Sequence, residues 1–203
     1  MLAQENMDVQ AIVDGTYGMF EQYKDVSNVE VEIRLGRKNG TYFDTNVGAE
    51  TFNRLMEGLR QYDGWESQRA STTDVYYNDQ YGIRISVDGE SGRQLMVQKI
   101  SAVKEDFTHT GAPLDVRVAI STETPVIGQY EMNRKKIKQR VSFVRKGLSI
   151  DMTISRGDAS DPDAEDDVSY QVELEIINPS SVECAEQFYN HVWKVNDLLK
   201  ILQ

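Results

Sequence analysis

The stretch VEVEIRLG, Val29 to Gly36, places Glu30, Glu32 and Arg34 at every second position, with Val29, Val31, Ile33 and Leu35 between them. In a β-strand, alternate side chains share a face. Two carboxylates and a guanidinium therefore line one side, and four aliphatic residues line the other. A surface strand can look like this. So can the wall of a site that holds a metal ion and a phosphate.

Other stretches repeat the pattern. YQVELEII sets Gln171, Glu173 and Glu175 against Val172, Leu174 and Ile176. MNRKKIKQRVSF sets Arg134, Lys136, Lys138 and Arg140 against Ile137, Val141 and Phe143. YGIRISVD contributes Arg84, Ser86 and Asp88, and DVRVAISTE contributes Arg117, Ser121 and Glu123. LSIDMTIS contributes Asp151 and Thr153, and Lys99 closes LMVQK. Like charges two residues apart on a strand sit about 7 Å apart and repel by about 2 kcal/mol at an effective dielectric near 20. Four cations in a row are unfavourable unless opposite charge lies between them. Each strand alone reads as the wet face of a surface sheet. Together they read as acidic strands facing basic strands across a barrel, with room for a polyphosphate and a divalent cation.

That arrangement needs elements to hold it. The aliphatic faces must point outward and be covered, which gives a polar tunnel inside a hydrophobic coat. Met7 to Lys24 has Val9, Ile12, Val13 and Phe20 on one face and predicts a helix. Ala49 to Tyr62, with Phe52, Leu55, Met56 and Leu59, predicts a second. Val182 to Leu202, with Phe188, Val192, Val195, Leu198 and Leu199, predicts a third. From Trp65 to about Leu174 the chain reads almost wholly as strand, cut by turns at Asn78-Asp79, Asp88-Gly89, Gly111 with Pro113, and Gly147. The acidic run from Gly157 to Asp167 reads as a solvated loop. The expected fold is α+β, mainly β: a closed antiparallel eight-stranded barrel with helices outside, forming a single domain over residues 1–203.

Composition narrows the function. At 203 residues the chain can bury one sizeable core, and it has no apolar run of the ~20 residues needed to span a membrane. The N-terminus lacks a basic stretch followed by an apolar one, so no secretory signal is read there. A lone cysteine fits a reducing, intracellular compartment. The net charge of −11 argues against a broad basic surface for duplex nucleic acid. Seven of the 22 Lys and Arg residues nevertheless fall between Arg134 and Lys146, so a basic interior can coexist with an acidic exterior.

Other chemistries find little support. There is no phosphate loop of the GxxxxGK[ST] type and no HExxH. His109 and His191 read as surface or partly buried residues. Cys184 has no arginine at the Cys-x₅-Arg spacing and reads as a buried structural thiol. Tyr76 and Tyr77 read as coat packing rather than as a stacking platform for bases.

The ordered motifs VEVEIRLG, GIRISVD, VQKIS, DVRVAISTETPV, NRKKIKQRVSF, LSIDMTIS and YQVELEII resemble the triphosphate tunnel metalloenzymes over roughly residues 29 to 177. Glu30-x-Glu32-x-Arg34 followed by Leu-Gly, together with RVAISTETP, is more similar to the metal-dependent RNA 5′-triphosphatases of fungi, protists and large DNA viruses than to members carrying Glu-x-Glu-x-Lys. Gln171 departs from the acid that many members have there.

The resemblance implies Mg²⁺ or Mn²⁺ held by Glu30, Glu32 and Glu175, with Glu173 behind them. It implies Arg84, Lys99, Lys136, Lys138 and Arg140 as clamps on the triphosphate, with Arg140 or Lys136 on the γ-phosphate and Arg34 and Arg117 as further phosphate contacts. Glu123 is expected to orient or deprotonate the attacking water, and Asp151 and Thr153 to support the basic side chains. The implied reaction removes the γ-phosphate from triphosphate-ended RNA, the first step of mRNA capping. Nucleoside triphosphates are further expected substrates, and an RNA guanylyltransferase is an expected partner, on a separate chain or fused. The location would be the nucleus for a cellular enzyme, or a cytoplasmic factory or virion for a viral one. Two other readings stand beside this one: a tunnel phosphohydrolase acting on tripolyphosphate or nucleotides, and a non-catalytic barrel that binds polyanions.

Overall fold

The computed structural model describes residues 2–108, 111–157 and 168–203, with side chains from Asp8 onward. Its elements are α1 (Leu2–Tyr23), β1 (Val29–Asn39), β2 (Tyr42–Asp44), α2 (Ala49–Gln61), β3 (Ser67–Asn78), β4 (Ile83–Asp88), β5 (Gln94–Phe107), β6 (Asp115–Pro125), β7 (Arg134–Arg145), β8 (Leu148–Gly157), β9 (Val168–Ile176) and α3 (Ala185–Leu199). The strands follow the order β2-β1-β6-β5-β4-β3-β7-β8-β9, and β1 also pairs with β9. Eight strands thereby close into an antiparallel barrel, and β2 is an extra strand paired to the end of β1. Closure leaves no open edge in the barrel wall.

Alternation in the sequence sets which way each strand faces. On β1, Val31, Ile33 and Leu35 are fully buried on the outer face, joined by Val116, Val118 and Ile120 of β6 and Val172, Leu174 and Ile176 of β9. Helices cover this side. α1 rests on β5 and β6, α2 rests on β9, and α1 packs on α3. Phe20 and Phe188 stack at the α1–α3 contact, with ring centroids 4.5 Å apart. Burying each such large apolar side chain contributes about 1.5–3 kcal/mol. The coat is partial, because Ile100 and Ile137 also face outward yet are 55% and 39% exposed.

Two close features fix local geometry. At Gly36, a Cβ would meet the Asp44 carbonyl oxygen at 2.2 Å and the Phe43 ring at 2.4 Å, so only glycine lets β2 lie this close. Between β7 and β8, Lys146 and Gly147 both take positive φ, 49° and 73°. This is the backbone of a two-residue type I′ hairpin, whose twist matches the flanking strands.

Several expectations change. β3 begins at Ser67 and β5 continues to Phe107, both beyond their apolar runs. The last helix starts at Ala185, after a 3₁₀ turn over Pro179–Ser181. Cys184 is therefore the N-cap residue and exposed, not a buried thiol. The acidic run beyond Gly157 and His109 lie outside the described residues.

Candidate functional site

The barrel register brings the alternating charges together. Glu32 on β1 stands opposite Glu175 on β9, and Arg34 stands opposite Glu173. One strand further on, Glu175 faces Ser149 and Glu173 faces Asp151 of β8. Arg140 of β7 then faces Thr153. On the other side of β1, Glu30 faces Ser121 of β6, and Lys99 of β5 faces Glu123. A cavity of 370 Å³ inside the barrel is lined by Glu32, Arg34, Arg84, Lys99, Lys138 and Glu173, among others.

The side chains form two ion-pair networks. In one, Lys99 pairs with Glu30 and lies 3.1 Å from Glu123 and 3.8 Å from Glu32. Arg84 pairs with Glu123, and Ser121 Oγ donates to Glu30 at 3.0 Å. In the other, Glu173 bridges two guanidinium groups. Arg34 Nε lies 3.1 Å from one of its oxygens, and Arg140 Nη2 lies 3.4 Å from the other. Arg34 Nε also donates to Glu32 at 2.9 Å. Arg140 further donates to Asp151 at 2.8 Å and to Thr153 Oγ1 at 3.0 Å, while Ser149 Oγ donates to Asp151 at 2.6 Å. Three side chains on two strands, β8 and β9, therefore fix the Arg140 fork.

Burial and charge push the carboxyls apart in acidity. Burial, together with the nearby charges of Glu173 and Glu30, raises Glu32 to about 7 against the pull of Arg34 and Lys99. Burial, with Glu30, Asp151 and Glu173 around it, raises Glu175 to about 7 as well. Burial acts on Glu30 in the same sense, but the charge and hydrogen bond of Lys99, helped by Glu32 and Arg84, bring it down to about 2. Burial and the charges of Arg134 and Lys138 lower Lys136.

Among the described residues, no three acidic, His or Cys side chains already stand together as a metal cage. Glu30 and Glu32 are occupied by Lys99 and Arg34, whereas Glu175 has no ion-pair partner among the described residues. The donor set nevertheless suits a hard divalent cation. It offers carboxylate oxygens from two adjacent strands, and two of the three carboxyls resist ionisation, chiefly because burial penalises their charge and neighbouring carboxylates add to it.

Other predicted positions separate from this centre. Arg117 shares the inward parity but is paired to Asp106 at 2.6 and 2.9 Å, lies 4.7 Å over the Phe43 ring, and does not line the cavity. His191 is half-buried on α3, outside the barrel, in a larger hollow of 830 Å³ between α2, α3 and the β7–β8 hairpin. That hollow carries none of the paired acids and bases described above. Gln171 lines the cavity.

Sequence reasoning missed Lys104 and misplaced Tyr77. A β-bulge between Ser101 and Val103 shifts the parity of β5, so Lys104 turns inward opposite Ala119 and lines the cavity. Simple alternation from Lys99 would have pointed it outward. Tyr76 faces out, with the Lys135 ammonium 5.2 Å from its ring centre. Tyr77 is not coat packing: it lines the cavity beside Asn78, Asp79 and Arg134.

A family profile described as mRNA capping enzyme, beta chain, matches residues 37–203. The chain belongs to this family. The match begins after Glu30, Glu32 and Arg34, so those residues join the site through the barrel closure rather than through the profile. No curated protein matches the chain. Among solved structures, the S. pombe Pct1 RNA triphosphatase is similar at 19% identity and a TM-score of 0.76, over 96% of this chain and 91% of that one. The Mimivirus capping enzyme triphosphatase is similar at 14% identity and a TM-score of 0.63, over 94% and 97%. A chain of the S. pombe Mediator head module shares the fold more distantly, at 9% identity and a TM-score of 0.50, over 85% and 94%. At these identities the likeness is one of fold, and membership of the capping-enzyme beta-chain family rests on the profile.

Proposed function

We propose that this capping-enzyme beta chain is an RNA 5′-triphosphatase that hydrolyses the γ-phosphate of triphosphate-ended RNA. The observation that carries this reading is the Glu32–Glu175 pairing across β1 and β9, in a closed barrel whose cavity is lined by Arg34, Arg84, Lys99 and Lys138. Water attacks the γ-phosphorus, the bond to the bridging β–γ oxygen breaks, and inorganic phosphate and a diphosphate-ended RNA leave. Catalysis of this step rests on positioning and on stabilising charge.

Glu30, Glu32 and Glu175 would hold Mg²⁺ or Mn²⁺, which when bound draws negative charge from the phosphate oxygens. The chain's own cations divide the remaining work. Arg140, fixed by Asp151, Thr153 and Glu173, takes the γ-phosphate with Lys136. Arg34, Arg84, Lys99 and Lys138 hold the rest of the triphosphate. Glu123 is paired with both Arg84 and Lys99, which fix the direction of its carboxylate, so it orients the attacking water. Glu173 positions the two guanidinium groups that it bridges. The diphosphate end suits an RNA guanylyltransferase as the next enzyme, and nucleoside triphosphates fit the same cavity chemistry.

The test is release of phosphate from γ-labelled triphosphate RNA with Mg²⁺ or Mn²⁺. Wild-type protein should release it, and Glu30→Ala should not. Turnover retained in Glu30→Ala would overturn the metal-site assignment. A strong preference for tripolyphosphate over RNA would favour a general tunnel phosphohydrolase, and binding without turnover a polyanion-binding barrel.

A further inference from the structure

The acidic and basic centre accounts for the triphosphate but not for what lies at one rim of the same cavity. Tyr77 is the penultimate residue of β3 and Arg134 is the first of β7, and the two face each other in register. The Arg134 guanidinium lies 4.2 Å over the centre of the Tyr77 ring. Asp79, in the turn that follows β3, holds that guanidinium by two hydrogen bonds, 2.7 Å from Nη2 and 3.1 Å from Nε. The Arg134 side chain remains 32% exposed and the Asp79 side chain 52% exposed. All three residues line the cavity that also contains Arg34, Lys99 and Glu173.

This is a planar, charged surface backed by an aromatic ring and locked in place by a carboxylate. A phosphate clamp needs no ring behind it, since the Arg140 fork in the same barrel is held by hydrogen-bond acceptors alone. A nucleobase has a use for the ring as well as the guanidinium, because bases stack on guanidinium planes and on aromatic faces. The rim position is also right for a substrate whose phosphates reach inward while its nucleoside stays at the mouth.

We propose that Arg134, backed by Tyr77 and held by Asp79, forms a stacking subsite for the first nucleoside of the triphosphate-bearing strand. The subsite recognises the π-face of the base and tolerates any base identity. It gives the tunnel a preference for a nucleoside-bearing triphosphate over inorganic tripolyphosphate. The inference rests on the RNA triphosphatase reading above and deepens it.

The experiment compares kcat/KM for triphosphate-ended RNA with kcat/KM for inorganic tripolyphosphate in one protein at a time. Removing one stacking contact weakens binding by roughly tenfold. Tyr77→Leu and Arg134→Lys should each lower the RNA-to-tripolyphosphate ratio by about that factor, through a higher KM for RNA. Tyr77→Phe, which keeps the ring, should leave the ratio at the wild-type value. Arg134→Lys keeps the charge, so a ratio unchanged in that variant would reassign Arg134 to simple phosphate neutralisation and overturn the subsite. Equal losses on both substrates in Tyr77→Leu would overturn it too, because they report a structural role. Failure of wild-type protein to cleave triphosphate RNA is a separate outcome, and it would remove the underlying function and the subsite together.

Discussion

Glu32 and Glu175 stand directly opposite each other on neighbouring strands, both with carboxyls raised to about 7. Burial first, then the surrounding carboxylates of Glu30 and Glu173, penalises the ionised form of each, so ionising both destabilises the barrel. That cost sits at the proposed metal site, where a bound cation would offset it.

The Glu175 shift has a defined pH signature. An ordinary glutamate ionises near 4.5, and Glu175 in the folded protein near 7. Below about pH 4.5 both states hold the proton and no penalty exists. Between 4.5 and 7 only the unfolded chain releases it, so stability falls as pH rises; above 7 the penalty is constant. Glu175→Gln should therefore raise Tm at pH 8 in the presence of a chelator, by a stability gain of about 2 kcal/mol after allowance for partial exposure. At pH 4.5 the gain should vanish. A variant no more stable than wild type at pH 8 would contradict the raised pKa of Glu175.

Glu30 has the opposite sign. Its carboxyl is held at about 2 against an ordinary 4.5, chiefly through Lys99 once burial is overcome. Its contribution is complete above about pH 4.5 and is lost as pH falls toward 2. Lys99→Met removes the cation from Glu30, Glu32 and Glu123 together. Unfolding in urea at pH 7 should show a loss of about 3 kcal/mol, the usual consequence of leaving a buried charge unpaired. Near pH 2 the gap from wild type should shrink. A gap constant across that range would place the effect in packing instead of charge.

Much of this site was legible in the sequence because strands have a period of two. Glu30, Glu32, Glu173 and Glu175 could be assigned to one face from parity alone, and the aliphatic neighbours told that the other face was covered. What parity could not supply was the bulge at Ser101–Val103, which depends on how β5 must bend to close the barrel. Lys104 was therefore invisible as a lining residue. Arg117 has the right parity but lies against Asp106 and Phe43, a contact between residues that strand alternation does not relate. Tyr77 differs from Tyr76 only in parity, and the charged residues at every other position of β3 were too few to settle which face was which. The long apolar-poor ends of β3 and β5 were missed because their pairing partners, not their own residues, make them strands.

Gly36 should tolerate no side chain. A methyl group would sit 2.2 Å from the Asp44 carbonyl oxygen and against the Phe43 ring, and backbone oxygen cannot rotate away as a side chain can. Gly36→Ala should cost about 2–4 kcal/mol, in the range of strong overpacking. Differential scanning calorimetry measures this directly. A Tm within a degree or two of wild type would mean that β2 can shift away from β1 at no cost.

Arg140 is the residue where geometry and charge can be separated. Its fork reaches Asp151, Thr153 and Glu173 at once, and Asp151 is only 3% exposed. A lysine supplies the same charge without a planar fork, so it cannot satisfy three acceptors in fixed directions. Arg140→Lys should lower kcat by roughly a hundredfold, the scale for losing one oriented charge-stabilising donor. Asp151→Asn keeps an acceptor oxygen but removes the charge that holds the guanidinium, so its loss should be smaller, roughly tenfold, and confined to kcat. If Asp151→Asn instead raised KM and left kcat at the wild-type value, Arg140 would be a ground-state anchor for the phosphates. If neither variant changed turnover, the γ-phosphate would have to be held by Lys136 and Lys138, and the support of Arg140 by β8 and β9 would serve the barrel alone.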